Sequence, residues 1–483
     1  MKIFKKGFPR ASLLFAVSTL AVCTLAVSTL PVHAQTSPDG ASIPLNDFSA
    51  FRESGPNWTI GSDALADIHR EGFMKAIPGT GVAVDILGQK DNKHLITKDE
   101  FGDLELELDF MMAKNANSGV YLQGRYEVQL LDSWTKIHPE FSDCGGIYQR
   151  WDDARGDGHQ GYEGIAPLMN VSRAPGLWQH LKIRFQAPQF NTAGQKIRNA
   201  RFLEVYLNGV LVQLQEDVTG PTRSSAFDDE KPTGPLMLQG DHGDVAFRNI
   251  HYKPLGVSAQ QDPGDNPILL KADGKPYLLR SFLNYGDKKL THVISAGYPS
   301  QLNFSYDLKE GALFQVWRGQ FLDVTDMWHE RGEPQLAKPL GSVIVTSDAP
   351  TLAILPDHDA TWPDSVGFDD FHNRGYTLDD KRFPAFEYEY NGIRAIDKIS
   401  APSAYSLMRE IKVTDPPANL YARIVAGSII ETVGEGVYAI DGKSYYIQID
   451  PSVPVLLRKT KRGRELLVPV DKNTNPVTYS ITW

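Results

Sequence analysis

Apolar and polar residues alternate with a period of two over much of the first half of the chain. Over residues 103–110, leucine and phenylalanine fall at every second position and acidic residues lie between them. Because successive side chains of a strand point to opposite faces, this run predicts a strand with one buried face. Residues 121–131 alternate in the same way, which predicts one strand whose polar face carries Gln123, Arg125, Glu127 and Gln129.

Turn signals separate these runs. Asn208-Gly209 stands between two apolar runs, 202–207 and 210–214, and predicts a β-hairpin. Short strands with regular turns and no long helical pattern predict an all-β fold, an antiparallel sandwich or barrel. Residues 268–483 are also strand-rich and predict a second β domain of unassigned role.

The chain divides into five predicted segments. Residues 1–34 have a basic start, an apolar stretch and a small-x-small site ending at Ala34, which indicates a cleaved signal peptide rather than a membrane anchor. We therefore expect a secreted, periplasmic protein with no membrane contact after cleavage. Residues 35–42 are predicted to be a disordered lead-in, 43–256 the first domain, 257–267 a polar linker and 268–483 the second domain.

Charge and cysteine content narrow the function classes. The net charge is −10, and loss of the four basic leader residues takes it to −14. Such acidity disfavours nucleic acid and anionic membranes as partners. After cleavage only Cys144 remains, so the mature chain cannot form an internal disulfide.

A series of short segments occurs in one order along the first domain: Asn117-Ser118-Gly119-Val120-Tyr121, Tyr126-Glu127-Val128-Gln129-Leu130-Leu131-Asp132, Gly145-Gly146-Ile147-Tyr148, Pro175-Gly176-Leu177-Trp178, Leu207-Asn208-Gly209-Val210, Gly234-Pro235-Leu236-Met237-Leu238-Gln239, Asp241-His242-Gly243 and Phe247-Arg248-Asn249-Ile250. The series resembles the 3-keto-disaccharide hydrolase domain family, also described as 3-keto-glucoside 1,2-lyase and 3-keto-2-hydroxy-glucal hydratase. The resemblance covers about residues 43–255. It implies a concanavalin-like jelly-roll β-sandwich with a sugar site on its concave face.

The chain departs from the family pattern at three places. Gln179 follows the tryptophan of the Pro-Gly-x-Trp segment, where the family usually has asparagine. The insertion 151–164 and the loop 219–233 are long. These departures leave the substrate and its leaving group open.

The polar face of residues 121–131 is the candidate site. By itself it could be an ordinary exposed sheet face, but acids, amides and flanking tyrosines also suit sugar hydroxyls. With the resemblance, we expect substrate to bind at Asn117, Tyr121, Gln123, Gln129, Tyr148 and Gln239. The segment Gln239–Gly243 could be a plain polar turn, yet a histidine is not needed for one.

A 3-keto group acidifies the C2 hydrogen of a sugar, so a base can remove it while the C1 substituent leaves, and water then adds. Glu127 or His242 is the candidate base, and Arg125 or a divalent metal ion would stabilise the enolate oxygen. The candidate metal ligands are Glu127, Asp241 and His242.

Three other functions stay open at this point. A non-catalytic carbohydrate-binding module could use the same face. The domain could instead be an adaptor for a sugar oxidoreductase, such as the sugar 3-dehydrogenase that makes a keto-sugar. A conventional glycosidase would need two carboxylates about 5–10 Å apart, for which Glu127 with Asp132 or Asp241 are candidates.

Overall fold

Strands make up nearly all the regular structure of the computed structural model, which describes residues 40–88, 90–255, 267–328, 335–367 and 369–483. The predicted leader 1–34 and nearly all of the predicted linker 257–267 lie outside the described residues. The described residues belong to one compact unit, 36–483, so the predicted division into two domains stays a prediction. Within the described ranges, no helix is both long and apolar enough to cross a bilayer.

The first half forms a β-sandwich, which confirms the all-β prediction. Its elements are β1 (Ala41–Ser42), β2 (Trp58–Ala66), β3 (Met74–Asp85), β4 (Leu95–Phe101), β5 (Leu104–Met112), β6 (Asn117–Leu122), β7 (Tyr126–Leu131), β8 (Arg150–Trp151), a 3₁₀ turn (Asp153–Arg155), β9 (Gly161–Tyr162), β10 (Trp178–Gln186), β11 (Gln189–Phe190), β12 (Lys196–Arg198), β13 (Ala200–Leu207), β14 (Val210–Val218), β15 (Gly234–Leu238) and β16 (Val245–Pro254).

Two sheets face each other across one core. The larger sheet has the order β14-β13-β10-β5-β16-β3-β2, with β1 beside β16, and the smaller has the order β4-β15-β6-β7. Leu106 and Leu108 of the larger sheet and Val120 and Val128 of the smaller one belong to the same buried cluster. The predicted alternation of β5 is therefore confirmed, and its leucines are buried because they point between the sheets.

Three local predictions have different outcomes. The hairpin at Asn208-Gly209 is confirmed, because both residues have positive φ between β13 and β14. The single strand over 121–131 is wrong: Gln123 and Gly124, with φ of 56° and 63°, form a tight turn between β6 and β7. Ala41 and Ser42 of the predicted disordered lead-in pair with β16, so order begins before Ile43.

In the described ranges of the second half, further antiparallel sheets accompany one short helix, in accord with the predicted strand-rich fold. Its elements are β17 (Leu269–Leu270), β18 (Tyr277–Tyr285), β19 (Lys288–Gly297), β20 (Leu302–Asp307), β21 (Ala312–Asp323), α1 (Thr325–Trp328), β22 (Lys338–Val345), β23 (Leu352–Ile354), β24 (Phe371–Leu378), β25 (Pro384–Tyr390), β26 (Ile393–Ser400), β27 (Leu407–Val413), β28 (Leu420–Gly427), β29 (Ile430–Gly434), β30 (Val437–Ile440), β31 (Tyr445–Ile449), β32 (Leu456–Thr460), β33 (Gly463–Pro469) and β34 (Val477–Thr482).

The two halves contact each other through buried groups. Ala174 and Leu177 of the first half pack in the main hydrophobic cluster of the second half. Lys443, 5% exposed, forms an ion pair with Asp63, and its carbonyl accepts a hydrogen bond from the Trp178 N–H. The second half therefore supports one edge of the sandwich directly.

A buried ion pair stabilises the second half. The Arg409 guanidinium donates to both carboxylate oxygens of Asp397, at 2.9 and 2.5 Å, and to the hydroxyls of Tyr479 and Thr351. Tyr306 donates to the same carboxylate at 2.9 Å. Because Asp397 is fully buried, it is the group that compensates the charge of Arg409.

We expect Asp397→Ala to lower the free energy of unfolding by about 3–5 kcal/mol, because it leaves the Arg409 charge buried without a counter-charge. Tyr479→Phe is the matched control and should cost only about 1 kcal/mol, since one hydrogen bond is lost. Urea unfolding of the two variants measures both values. Equal losses of unfolding free energy in the two variants would show that the Arg409–Asp397 ion pair contributes no more to stability than one hydrogen bond.

Candidate active site

The centre of the smaller sheet brings together most of the predicted site residues. Gly119 pairs with Gln129 and Tyr121 with Glu127, and the Gln239 N–H donates to the Gly119 carbonyl. Val120 and Val128 point into the sandwich core, so Asn117, Gly119, Tyr121, Glu127 and Gln129 share the opposite face. We call the side chains of Asn117, Glu127, Gln129 and Gln239 the acceptor cluster.

Gly119 makes room for the acid of this cluster. A Cβ atom at Gly119 would lie 2.3 Å from Glu127 Oε1 and 3.0 Å from the ring of Tyr121. No side chain fits at this distance, so glycine is required for Glu127 to lie over the strand.

Glu127 is a buried carboxyl with an unusual pKa. Burial raises its pKa from 4.5 to about 8, the nearby Asp241 carboxylate raises it as well, and a hydrogen bond from Tyr121 acts in the opposite direction. Burial likewise raises the pKa of the Tyr121 hydroxyl, which stays protonated and able to donate. Near neutral pH Glu127 can therefore both hold and release a proton.

The acceptor cluster contains four oxygens that have no hydrogen-bond partner among the described residues. They are Asn117 Oδ1, Glu127 Oε2, Gln129 Oε1 and Gln239 Oε1. Glu127, Gln129 and Gln239 are each at most 6% exposed. Buried acceptors without donors are rare in folded proteins, so this face is suited to a ligand that supplies hydroxyl donors.

An acid–histidine pair borders the cluster. His242 Nδ1 lies 2.5 Å from Asp241 Oδ1 and 3.2 Å from the Gln239 amide nitrogen. When Nδ1 donates to the carboxylate, Nε2 of the half-exposed His242 ring keeps its lone pair for a proton or ligand.

Sequence reasoning missed His94, which lies beside this pair. Its Nδ1 accepts from the Gly240 N–H at 3.2 Å and lies 3.9 Å from Asp241 Oδ1. Burial lowers the pKa of His94, which favours the neutral ring. His94 is 146 residues before Gly240 and belongs to no motif, so only the pairing of β4 with β15 brings them together.

Gln123 and Arg125 lie at the end of the sheet, apart from the acceptor cluster, and their predicted roles in substrate binding and catalysis stay predictions. The turn at Gln123-Gly124 places both at the end of the sheet. The Gln123 amide donates to the Phe101 and Pro232 carbonyls. The Arg125 guanidinium donates to the carbonyl and carboxylate of Asp229, each at 2.5 Å, and lies over the Phe227 ring. Both side chains therefore hold neighbouring backbone, and the Arg125 donors are engaged, whereas Gln123 Oε1 has no hydrogen-bond partner among the described residues.

Tyr148 lies near the cluster, and its predicted contact with substrate stays a prediction. Its N–H donates to the Glu127 carbonyl at 3.2 Å, and its ring contacts Phe141 edge to face. Its hydroxyl is close enough to Tyr121 to raise the pKa of that residue.

The proposed metal ligands do not form a recognisable metal centre. Over the described ranges, no group of three or more His, Cys, Asp or Glu side chains is arranged to hold a metal ion. Glu127 Oε2 is free, but Asp241 is engaged by His242. A divalent metal ion at Glu127, Asp241 and His242 stays a prediction.

Comparison with known proteins defines the class of the sandwich as carbohydrate-active enzyme-like. Residues 46–253 match the family model of the 3-keto-alpha-glucoside-1,2-lyase-like domain, which confirms the resemblance. The model does not cover the second half. No curated protein matches the chain significantly.

Solved structures show more distant similarity. A candidate glycosyl hydrolase from Parabacteroides distasonis ATCC 8503 has 22% identity and a TM-score of 0.30, covering 45% of this chain and 84% of its own. A second from the same organism has 22% identity and a TM-score of 0.26, with coverages of 41% and 99%. A carbohydrate-binding module from Bacillus subtilis has 11% identity and a TM-score of 0.21, with coverages of 41% and 95%. At these TM-scores we draw no functional conclusion from them.

We expect Glu127→Gln to stabilise the fold increasingly between about pH 4.5 and pH 8. The folded-state pKa of Glu127 is raised, so above 4.5 the unfolded chain releases a proton that the folded chain retains, and the parent loses stability until about pH 8. Over this window, each pH unit changes the difference in unfolding free energy between variant and parent by about 1.4 kcal/mol at most. Unfolding measured across this pH range gives the difference between variant and parent.

The exposed Glu435→Gln, the same substitution outside the candidate site, is the matched control. A difference for Glu127→Gln that stays constant with pH would contradict a raised pKa at this position.

Proposed function

We propose that the sandwich domain binds a 3-keto-glycoside at the acceptor cluster and cleaves it by elimination and hydration. The observation that carries the proposal is a carboxyl with a pKa of about 8 whose Oε2, like the amide oxygens of Asn117, Gln129 and Gln239, has no hydrogen-bond partner among the described residues. The match of residues 46–253 to the 3-keto-alpha-glucoside-1,2-lyase-like family supports the choice of substrate class.

Sugar hydroxyls supply what the acceptor cluster lacks. Each hydroxyl can donate one hydrogen bond, and a buried acceptor left without a donor costs about 1–3 kcal/mol. Binding of a sugar removes this cost at Asn117, Gln129 and Gln239, which orients the ring over Glu127.

The reaction then needs one base. The C3 carbonyl acidifies the C2 hydrogen, and Glu127 Oε2 takes that proton while the C1–O bond breaks and the aglycone leaves with the bonding electrons. The aglycone oxygen takes up a proton from solvent. Water then adds its OH to C1 of the enone and releases its other proton to solvent, while Glu127 returns its proton to C2. The net change is hydrolysis of the glycoside.

Glu127 is favoured as the base over His242 because its free oxygen lies within the cluster. A pKa near the working pH gives a general base both a deprotonated fraction and enough basicity. His242, oriented by Asp241, remains the second candidate. Arg125 donates to Asp229 and to the Gln123 carbonyl, so we do not assign it to the enolate oxygen.

The proposal also covers the source of the keto-sugar and the location of the protein. A sugar 3-dehydrogenase would supply the keto group, and the leader 1–34 would export the protein to the periplasm. Both are part of the proposal.

We expect Glu127→Gln to lower the rate of 3-keto-glucoside cleavage by about 10²–10⁴-fold, the usual contribution of a general base. His242→Ala should cost less, and the unoxidised glucoside should not be cleaved by any form of the protein. Product release is measured with and without a chelator, and we expect no dependence on the chelator.

Parental rates in both variants would refute the assignment of the base. Sugar binding without any turnover by the parent protein would instead favour the carbohydrate-binding module. Cleavage of the unoxidised glucoside would favour a conventional glycosidase.

A further inference from the structure

An aromatic surface lies directly beside the acceptor cluster, on the insertion 151–164. Two residues beyond Tyr148, the strands β8 and β9 pair as a short hairpin, with Trp151 opposite Gly161 and Arg150 opposite Tyr162. Trp151 and Tyr162, with the arginines stacked on them, form what we call the aromatic platform.

Each ring of the platform is covered by a guanidinium. Arg223 lies 3.8 Å from the Trp151 ring centroid, and Arg155 lies 3.7 Å from that of Tyr162. Trp151 Nε1 donates to Asp153 Oδ1 at 2.8 Å, which fixes the indole, yet the residue is 38% exposed. Within the described part of the chain, neither Arg155 nor Arg223 has a carboxylate within 4 Å, so the stacked planes are not held by ion pairs.

Backbone contacts tie the platform to both sides of Glu127. The Tyr121 hydroxyl, next to Glu127, lies 3.3 Å from the Arg223 carbonyl and can donate to it. The Arg223 N–H donates to the Gln149 carbonyl at 2.9 Å, one residue after Tyr148. Arg223 of the platform is therefore linked to Tyr121 on β6, the strand that pairs with β7, and to the segment that follows Tyr148.

We propose that the aromatic platform is the leaving-group subsite and takes a planar aromatic aglycone. The inference rests on the proposed function, because the C1 substituent is bonded to the carbon next to the C2 hydrogen that Glu127 removes. An aromatic ring gains from stacking on indole, phenol and guanidinium planes, whereas a small alkyl group gains little.

Local charge favours an uncharged ring over an anion. The insertion carries four acidic residues among its own positions: Asp152, Asp153, Asp157 and Glu163. They offset the charges of the nearby arginines, so the platform has no excess of positive charge to attract an anionic group.

The test compares two substrates that share the sugar, phenyl 3-keto-glucoside and methyl 3-keto-glucoside. We expect Trp151→Ala to lower kcat/KM for the phenyl substrate about 3- to 10-fold, which is the range of one aromatic contact, and to leave the methyl substrate within about twofold. Trp328→Ala is the matched control, since Trp328 is also exposed but lies on α1 of the second half. It should change neither value.

Arg223→Lys keeps the charge but removes the guanidinium plane, so it should reproduce the selective loss on the phenyl substrate. Equal losses on both substrates, or no loss on either, would overturn the subsite.

If the parent protein cleaves neither keto-glucoside, the proposed function fails separately. Calorimetric binding of phenyl and methyl glucoside then decides the subsite. Tighter binding of phenyl glucoside that Trp151→Ala abolishes would support it, and equal affinities would overturn it.

Discussion

The burial of the Glu127 carboxyl is the constraint on which the rest of the candidate site depends. Glu127 lies over Gly119, between the amides of its neighbouring strands, and its second oxygen has no partner among the described residues. A carboxyl in this position is costly when ionised, and its pKa of about 8 is the measure of that cost. The fold tolerates the cost because strand pairing fixes the backbone on both sides of Glu127 and a large core lies beneath it.

The polar face of the smaller sheet has two parts with different tasks. The middle of the sheet presents acceptors, and the end of the sheet, at Gln123 and Arg125, holds the loop 219–233 through side-chain donors. The loop in turn covers Tyr121 through the Arg223 carbonyl. Arg125 is of a residue type suited to catalysis, yet it holds the loop 219–233 a few residues away from the candidate base Glu127.

The strand pattern and the resemblance were sufficient to predict the sandwich, whereas the role of its polar sheet face and of Glu127 stays a proposal. The turn at Gln123-Gly124 was not predictable from the alternation, because polar and apolar residues alternate without a break on both sides of it. Glutamine also rarely adopts the positive φ that this turn requires. The engagement of Arg125 depends on Asp229, 104 residues away. His94 likewise joins the site only through strand pairing, so neither contact leaves a local signal.

The shared edge between the halves has a practical consequence for work on the isolated domain. A fragment cut at the boundary of the family match would lack the hydrophobic cluster of the second half in which Ala174 and Leu177 pack. It would also lack Lys443, the ion-pair partner of Asp63. A recombinant fragment ending near residue 255 would expose to solvent an apolar surface that the second half covers in the full chain. Such a fragment would need surface redesign at these positions before it could replace the full chain in crystallisation trials.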